Sequence, residues 1–184
     1  MGAARVVGEP VQGTGGVRAI GADADDRLHA CQGAPLGGRW KRGEKKQAVG
    51  RSRGGRNTKI HALADAKGRL IAILLSGGEA HDCPLAERLI RRVKSPERLL
   101  GDKAYDSAEL REDLDQRGTK PIIPNRCNRK QPFSFSKRLY KLRWRIENAF
   151  NRLKDFRRIA TRYDRLARNY LASVCLAAAL VWWI

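Results

Sequence analysis

The stretch YKLRWRIENAFNRLK, residues 140–154, decides how the rest of the chain is read. On an α-helix successive side chains turn by about 100°, so with Tyr140 at zero, Arg143 falls at about −60°, Glu147 at about −20° and Lys154 at about −40°. One tyrosine, two cations and one carboxylate therefore share a narrow stripe. Leu139, Leu142, Ile146, Phe150 and Leu153 occupy the adjoining arc, an apolar face to be buried against a core. The polar stripe runs along the rim of that face, where a helix packed on a sheet meets solvent.

Upstream of this helix the pattern changes from period 3.6 to period 2. Thr58 to Asp65 alternates with Ile60, Ala62 and Ala64 on one face, and Leu70 to Leu75 is continuously apolar, as in a central strand. Ala66 to Arg69 supplies the hairpin turn between them. Asp82 is placed to cap a helix reaching about Val93, with Pro84 early in it, and Arg98 to Asp102 reads as a short strand. Ser107 caps a helix from Ala108 to Arg117, and Lys120 to Pro124 is another strand. Val17 to Asp23 is a first short strand, while residues 1–16, rich in glycine and without periodicity, read as a disordered leader. Strands first and alternating units afterwards predict an α/β fold, a mixed sheet with helices on its faces.

The 184 residues carry 38 Lys and Arg against 19 Asp and Glu, a net charge of +19. That imbalance exceeds any need of solubility and calls for a polyanionic partner, with DNA or RNA ahead of an anionic membrane surface. Two segments concentrate the charge. Pro35 to Arg56 holds Arg51 and Arg53 among eight cations and reads as a flexible loop over a charged ligand or a solvated one; Asn125 to Ser136 holds Arg126, Arg129 and Lys130. Cys31, Cys83, Cys127 and Cys175 form no C-x-x-C pair, which argues against a zinc ribbon or disulfide framework and for a reducing, cytoplasmic setting. No signal peptide opens the chain, and the apolar run Tyr170 to Ile184 is shorter than the roughly twenty residues a bilayer needs. It reads as a buried terminal helix. His29, His61 and His81 have no partners at zinc spacing.

The carboxylates are the candidates for chemistry. Asp102 follows the apolar Leu99 and Leu100 at a strand's C-terminal end, where ligands gather in such sheets. Glu147 lies on the last long helix, and Asp23, Asp25 and Asp26 cluster at the end of the first strand. Convergent anions repel unless a cation joins them, and Mg²⁺ or Mn²⁺ suits an all-oxygen set that works on phosphate. Each acid also has a plainer explanation: Asp102 as a cap, Glu147 as an i,i+4 partner of Arg143, the Asp23 cluster as solvated loop.

Several of these motifs recur together in one family. Gly50 to Gly55, Thr58 to Leu63, Gly101-Asp102-Lys-Ala-Tyr105-Asp106, Ile122 to Arg126 and the spacing Y-x₂-R-x₃-E-x₆-K, met by Tyr140, Arg143, Glu147 and Lys154, resemble bacterial insertion-sequence transposases of the DDE type, insertion sequence five family. The resemblance covers Leu28 to Ile184. It implies an RNase H-like catalytic domain over 17–184, with Asp102 and Glu147 as the second and third catalytic acids and ligands of two divalent ions. The implied reactions are nicking at the element ends and attack of the freed 3′-OH on target DNA. It also implies that Arg143 and Lys154 contact phosphates, with Tyr140 beside them. Arg51, Arg53, Arg126, Arg129 and Lys130 are the further expected DNA contacts.

The chain departs from the family pattern in two places. The family's first acid lies in an Asp-Ser or Asp-Thr dipeptide at the position of Ala22; Asp23, followed by Ala24, stands one place away and is carried over as the first acid and metal ligand. Little precedes the first strand, so the family's amino-terminal DNA-binding region is expected from an upstream reading frame, and assembly as a homo-oligomer on DNA is expected with it. The rival readings are a non-catalytic, nucleic-acid-binding remnant and a structure-specific nuclease that uses the same acids without strand transfer.

Overall fold

The computed structural model describes residues 17–23, 43, 45–52 and 55–184, with only the backbone of Val17, Ala22, Asp23, Lys45 and Ser52. The expected leader 1–16, and Asp25, Asp26, His29, Cys31 and Arg53, lie outside the described residues. Among the described residues six strands form the sheet: β1 Val17–Asp23, β2 Gly50–Ser52, β3 Gly55–Ala64, β4 Leu70–Gly77, β5 Arg98–Leu100 and β6 Lys120–Ile122. Around it lie α1 Cys83–Ile90, α2 Ala108–Gln116, α3 Lys137–Tyr140, α4 Trp144–Lys154, α5 Arg157–Ala160 and α6 Ala167–Trp182.

The strand order is β2-β3-β1-β5-β6, with β4 on the other edge of β3. β1, β3 and β4 are antiparallel, whereas β1, β5 and β6 are parallel. The mixed, helix-flanked sheet is the α/β class that the alternation of elements predicts. Its alternating side chains feed two cores. Ile60, Ala62 and Ala64 share one with Ile146, Phe150 and Leu153 of α4 and with Tyr170 and Val174 of α6. Ile20, Leu63 and Leu99 face the other, under Leu85 and Leu89 of α1 and Leu110 and Leu114 of α2.

Gly21 lets α4 approach this closely. A Cβ added there would lie 3.0 Å from Phe150 Cε2 and 3.1 Å from Ile146 Cγ1. The helix that bears Glu147 thus rests directly on the middle of β1.

Four expectations change. Among the described residues β4 is an edge strand, and its apolar run reflects helices on both of its faces rather than strands on both of its edges. Part of the basic segment 35–56 is ordered, as a 3₁₀ turn at Lys45–Gln47 and as β2. Buried Arg162 holds it from far along the chain, donating from Nη2 to Gln47 O at 2.9 Å and from Nη1 to Ala48 O at 3.3 Å. Asp82 stands at the start of α1 without a side-chain cap bond, because its Oδ1 pairs with Lys59 Nζ at 3.2 Å. Ser107, in contrast, does cap α2, accepting from Leu110 N. Finally, residues 137–154 are helical throughout but tighten to a 3₁₀ turn at Lys141–Arg143.

Candidate active site

Asp102 owes its position to the residues on either side. Gly101 is small where Ile20, Ile123 and Tyr105 crowd within 3.4 Å of a would-be Cβ. Tyr105 is fully buried and pins the 3₁₀ turn Lys103–Tyr105 into the core; burial raises the pKa of its hydroxyl, and neighbouring Asp82 and Asp102 raise it further. Between these anchors Asp102 Oδ1 accepts a 2.8 Å bond from Ala104 N, which leaves Oδ2 aimed elsewhere.

It is aimed at Arg143. The Arg143 Nη1 lies 3.9 Å from Asp102 Oδ2, and Nη2 of the same guanidinium donates to Glu147 Oε1. A 3₁₀ turn stacks residues i and i+3, so the tight turn at 141–143 brings the Arg143 guanidinium over the Tyr140 ring, 5.8 Å from its centroid. The following α-turn then places Glu147 four residues on, within reach. The stripe read from the spacing is real for Tyr140, Arg143 and Glu147, and half-buried Lys154 lies farther along the same helix. The cap on Asp102 and the i,i+4 pair of Glu147 are both present as well. Neither closes the site, because the two side chains keep 32% and 52% of their surface.

β1 and β5 are parallel neighbours, so their C-terminal ends share one edge of the sheet. Asp23 ends β1, opposite Ile60 of β3, and Asp102 follows β5 by two residues. Among the described residues no group of three His, Cys, Asp or Glu side chains converges. Asp102 and Glu147 together offer hard oxygen donors around a shared cation, a donor set that fits Mg²⁺ or Mn²⁺.

The basic loop after β6 is less free than its composition predicts. Asp106, four residues past Asp102, has a fully buried side chain; its Oδ1 accepts from Arg111 Nε at 2.9 Å and its Oδ2 from Arg126 N and Arg129 Nε, each at 2.8 Å. Burial works to raise the Asp106 carboxyl, but the bonds from Arg129, Arg126 and Arg111 hold it below the ordinary value. The Arg126 side chain donates to Lys103 O and Ala104 O, the turn that caps Asp102. The Arg126 side chain is thus tied to the turn that follows Asp102 and Arg129 to Asp106 after it, while Lys130 is exposed. Arg51 is exposed on β2, in register with Arg56 of β3. Arg111 and Phe133 carry the architecture of this region without having drawn notice in the sequence, and Asp106, quoted there within the Gly101 to Asp106 motif, was given no role of its own. The available signals were an acid directly after an apolar-anchored turn and an aromatic residue inside a basic loop.

A carboxylate beyond a central strand, a second on the helix crossing it and a net charge of +19 suit an α/β enzyme of polynucleotide chemistry. Residues 21–182 match the family described as Transposase DDE domain, and the chain belongs to this family of polynucleotidyl transferases, as the DDE domain of an insertion-sequence transposase. It is 36% identical over 127 residues to a Brucella ovis protein assigned as the transposase of insertion sequence element IS6501, covering 68% of this chain and 97% of the relative. It is 30% identical over 137 residues to the Burkholderia cepacia protein assigned likewise to IS402, covering 68% of this chain and 63% of that one. A piggyBac transposase, solved by cryo-EM as a synaptic complex with hairpin DNA, aligns with a TM-score of 0.39 at 17% identity, over 62% of this chain and 24% of that one. Among the described residues no helix is long and apolar enough to cross a membrane.

Proposed function

We infer that this domain nicks DNA at the ends of an insertion sequence and joins the freed 3′-OH to target DNA, as a member of the insertion sequence five family with the Tyr140, Arg143, Glu147, Lys154 signature. The single observation that supports this most is the convergence of Asp102 and Glu147 on Arg143. Asp102, Glu147 and Asp23 would hold the divalent ions, Mg²⁺ or Mn²⁺, which supply Lewis acidity to the phosphodiester. Without an ion, Arg143 screens the repulsion of its two carboxylates. On DNA its planar fork is suited to turn to a phosphate, as bidentate guanidinium groups do. Lys154, Arg51 and Lys130 supply further phosphate contacts, with Arg53, Arg126 and Arg129 in the same basic segments, and Tyr140 holds the Arg143 side chain in place. Residues 17–184 act as the catalytic domain, on nucleoid DNA as a homo-oligomer.

The test is Mg²⁺-dependent nicking of DNA carrying the element's ends. Asp102→Asn and Glu147→Gln should each reduce it by about a hundredfold or more, the scale of removing one charge-stabilising group from an active site. Asp23→Asn should do the same if Asp23 is the first acid. Unchanged nicking by the Asp102 and Glu147 variants would sink the assignment.

A second reading, a nucleic-acid-binding remnant, draws on the fact that Asp102 also caps a turn and Glu147 also pairs along its helix. Calorimetry with Mn²⁺ and DNA separates the two: heat of ion binding that Asp102→Asn abolishes favours the enzyme, and no heat favours the remnant.

A further inference from the structure

The loop after β6 is built as a platform. Asn125 closes it with reciprocal bonds, donating from Nδ2 to Phe133 O at 2.8 Å and accepting from Phe133 N at 2.9 Å. Beneath Phe133, one buried carboxylate, Asp106, holds two guanidinium groups, Arg111 on Oδ1 and Arg129 on Oδ2. Both lie over the phenyl ring, at 4.5 and 4.9 Å from its centroid. Because a single carboxylate holds both, the order is carboxylate, guanidinium layer, aromatic ring. Phe133 nonetheless remains 45% exposed, so part of the ring stays open to solvent above the guanidinium groups.

The surroundings of this ring are those of a nucleic-acid site. Beside it opens a cleft of ≈ 460 Å³ lined by Asp106, Arg126, Asn128, Arg129, Lys130 and Gln131. Arg126 fastens the loop to Lys103 O and Ala104 O, and Ala104 N bonds Asp102. The platform is therefore rigidly linked to the turn that positions a catalytic carboxylate. A preorganised aromatic ring over a cation layer, next to donors for phosphate, matches the way proteins hold single-stranded nucleic acid: bases stack on rings while cations track the backbone.

We propose that Phe133, backed by Arg111 and Arg129, is a stacking site for an unpaired nucleobase of the DNA strand that enters the Asp102 site. This rests on the functional reading above for the identity of the strand, though not for the binding itself. Arg111 and Arg129 act through the ring, as positioning residues.

The experiment uses the full chain, without metal, and two short single-stranded oligonucleotides, one of thymidines and one with the same backbone but abasic. Phe133→Ala should bind the thymidine strand about tenfold or more weakly, the scale of one lost stacking contact. It should bind the abasic strand as the unaltered chain does, with the same salt dependence, since no phosphate contact is removed. Phe133→Trp should restore thymidine binding, which separates a lost ring from a misfolded loop. Equal loss on both strands, no loss on either, or no rescue by Trp overturns the proposal. Because no cleavage is read, loss of nicking activity and loss of this site remain distinguishable.

Discussion

The guanidinium of Arg143 stands 3.9 Å from the Asp102 carboxylate, joining the helix that bears Glu147 to the end of a central strand. Glu147 takes the other side of the same guanidinium. Whatever occupies the space between these acids competes with Arg143.

That competition gives the first prediction. In Arg143→Gln, Mn²⁺ should bind about threefold more tightly, the scale of the ~0.5–1 kcal/mol that a partly exposed ion pair is worth. Nicking should nevertheless fall by about a hundredfold, because a phosphate ligand is lost with the competitor. Calorimetry and nicking assays on one preparation read the two effects separately. Weaker ion binding in the variant would show that Arg143 supports the acids rather than competing for them.

Asp106 is the structural counterpart. Its side chain is wholly buried between Arg111 and Arg129, and Arg111 is itself nearly so. Asp106→Asn leaves buried positive charge uncompensated and should cost about 3–5 kcal/mol of stability in urea unfolding. Arg129→Gln, at the more open end of the cluster, should cost clearly less. If the two variants unfold alike, the buried carboxylate is not the centre of the cluster.

His61 predicts an acid-labile fold. It is fully buried on β3, with Nε2 2.7 Å from Ser76 Oγ and no partner for Nδ1 among the described residues. Burial lowers its pKa from 6.5 to about 4, with Asp82 opposing and Lys59 assisting. The unfolded chain then binds the proton more readily than the folded one. The stability concerned is fully present above pH 6.5 and is lost as pH falls toward 4, at up to about 1.4 kcal/mol per pH unit. Asp106, a depressed carboxyl, loses its contribution only below the unfolded carboxylate value of 3.8, so the two windows are separate. His61→Gln keeps a polar partner for Ser76 without titrating in this range. Its melting temperature between pH 7 and pH 4.5 should fall less steeply than that of the unaltered chain; parallel curves would remove His61 as the cause.

Much of this protein was legible as local pattern. The alternation of Ile60, Ala62 and Ala64, the Ser107 cap and the apolar arc of Ile146, Phe150 and Leu153 depend on periods set by backbone geometry, and each lies where the pattern puts it. The rim position of Tyr140, Arg143 and Glu147 follows from the same rule, refined by one tight turn.

Long-range relationships decided the rest. The 3₁₀ turn at Lys45–Gln47 is not announced by its neighbours in the sequence, because the carbonyls of Gln47 and Ala48 are held by Arg162, more than a hundred residues away. β4 reads as central because hydrophobicity reports covered faces and is blind to which edges carry hydrogen bonds. Arg129 reads as a free cation until Asp106 is seen beneath it, and Arg126 until its guanidinium is seen on Lys103 O and Ala104 O. The sequence by itself determined the class of fold, the family and the acids to suspect, since these rest on residue type and spacing. Tertiary structure alone decided that Arg143 joins Asp102 to Glu147 and that Asp106 and Arg126 tie a basic loop to the turn after Asp102, since both depend on packing between segments remote in the chain.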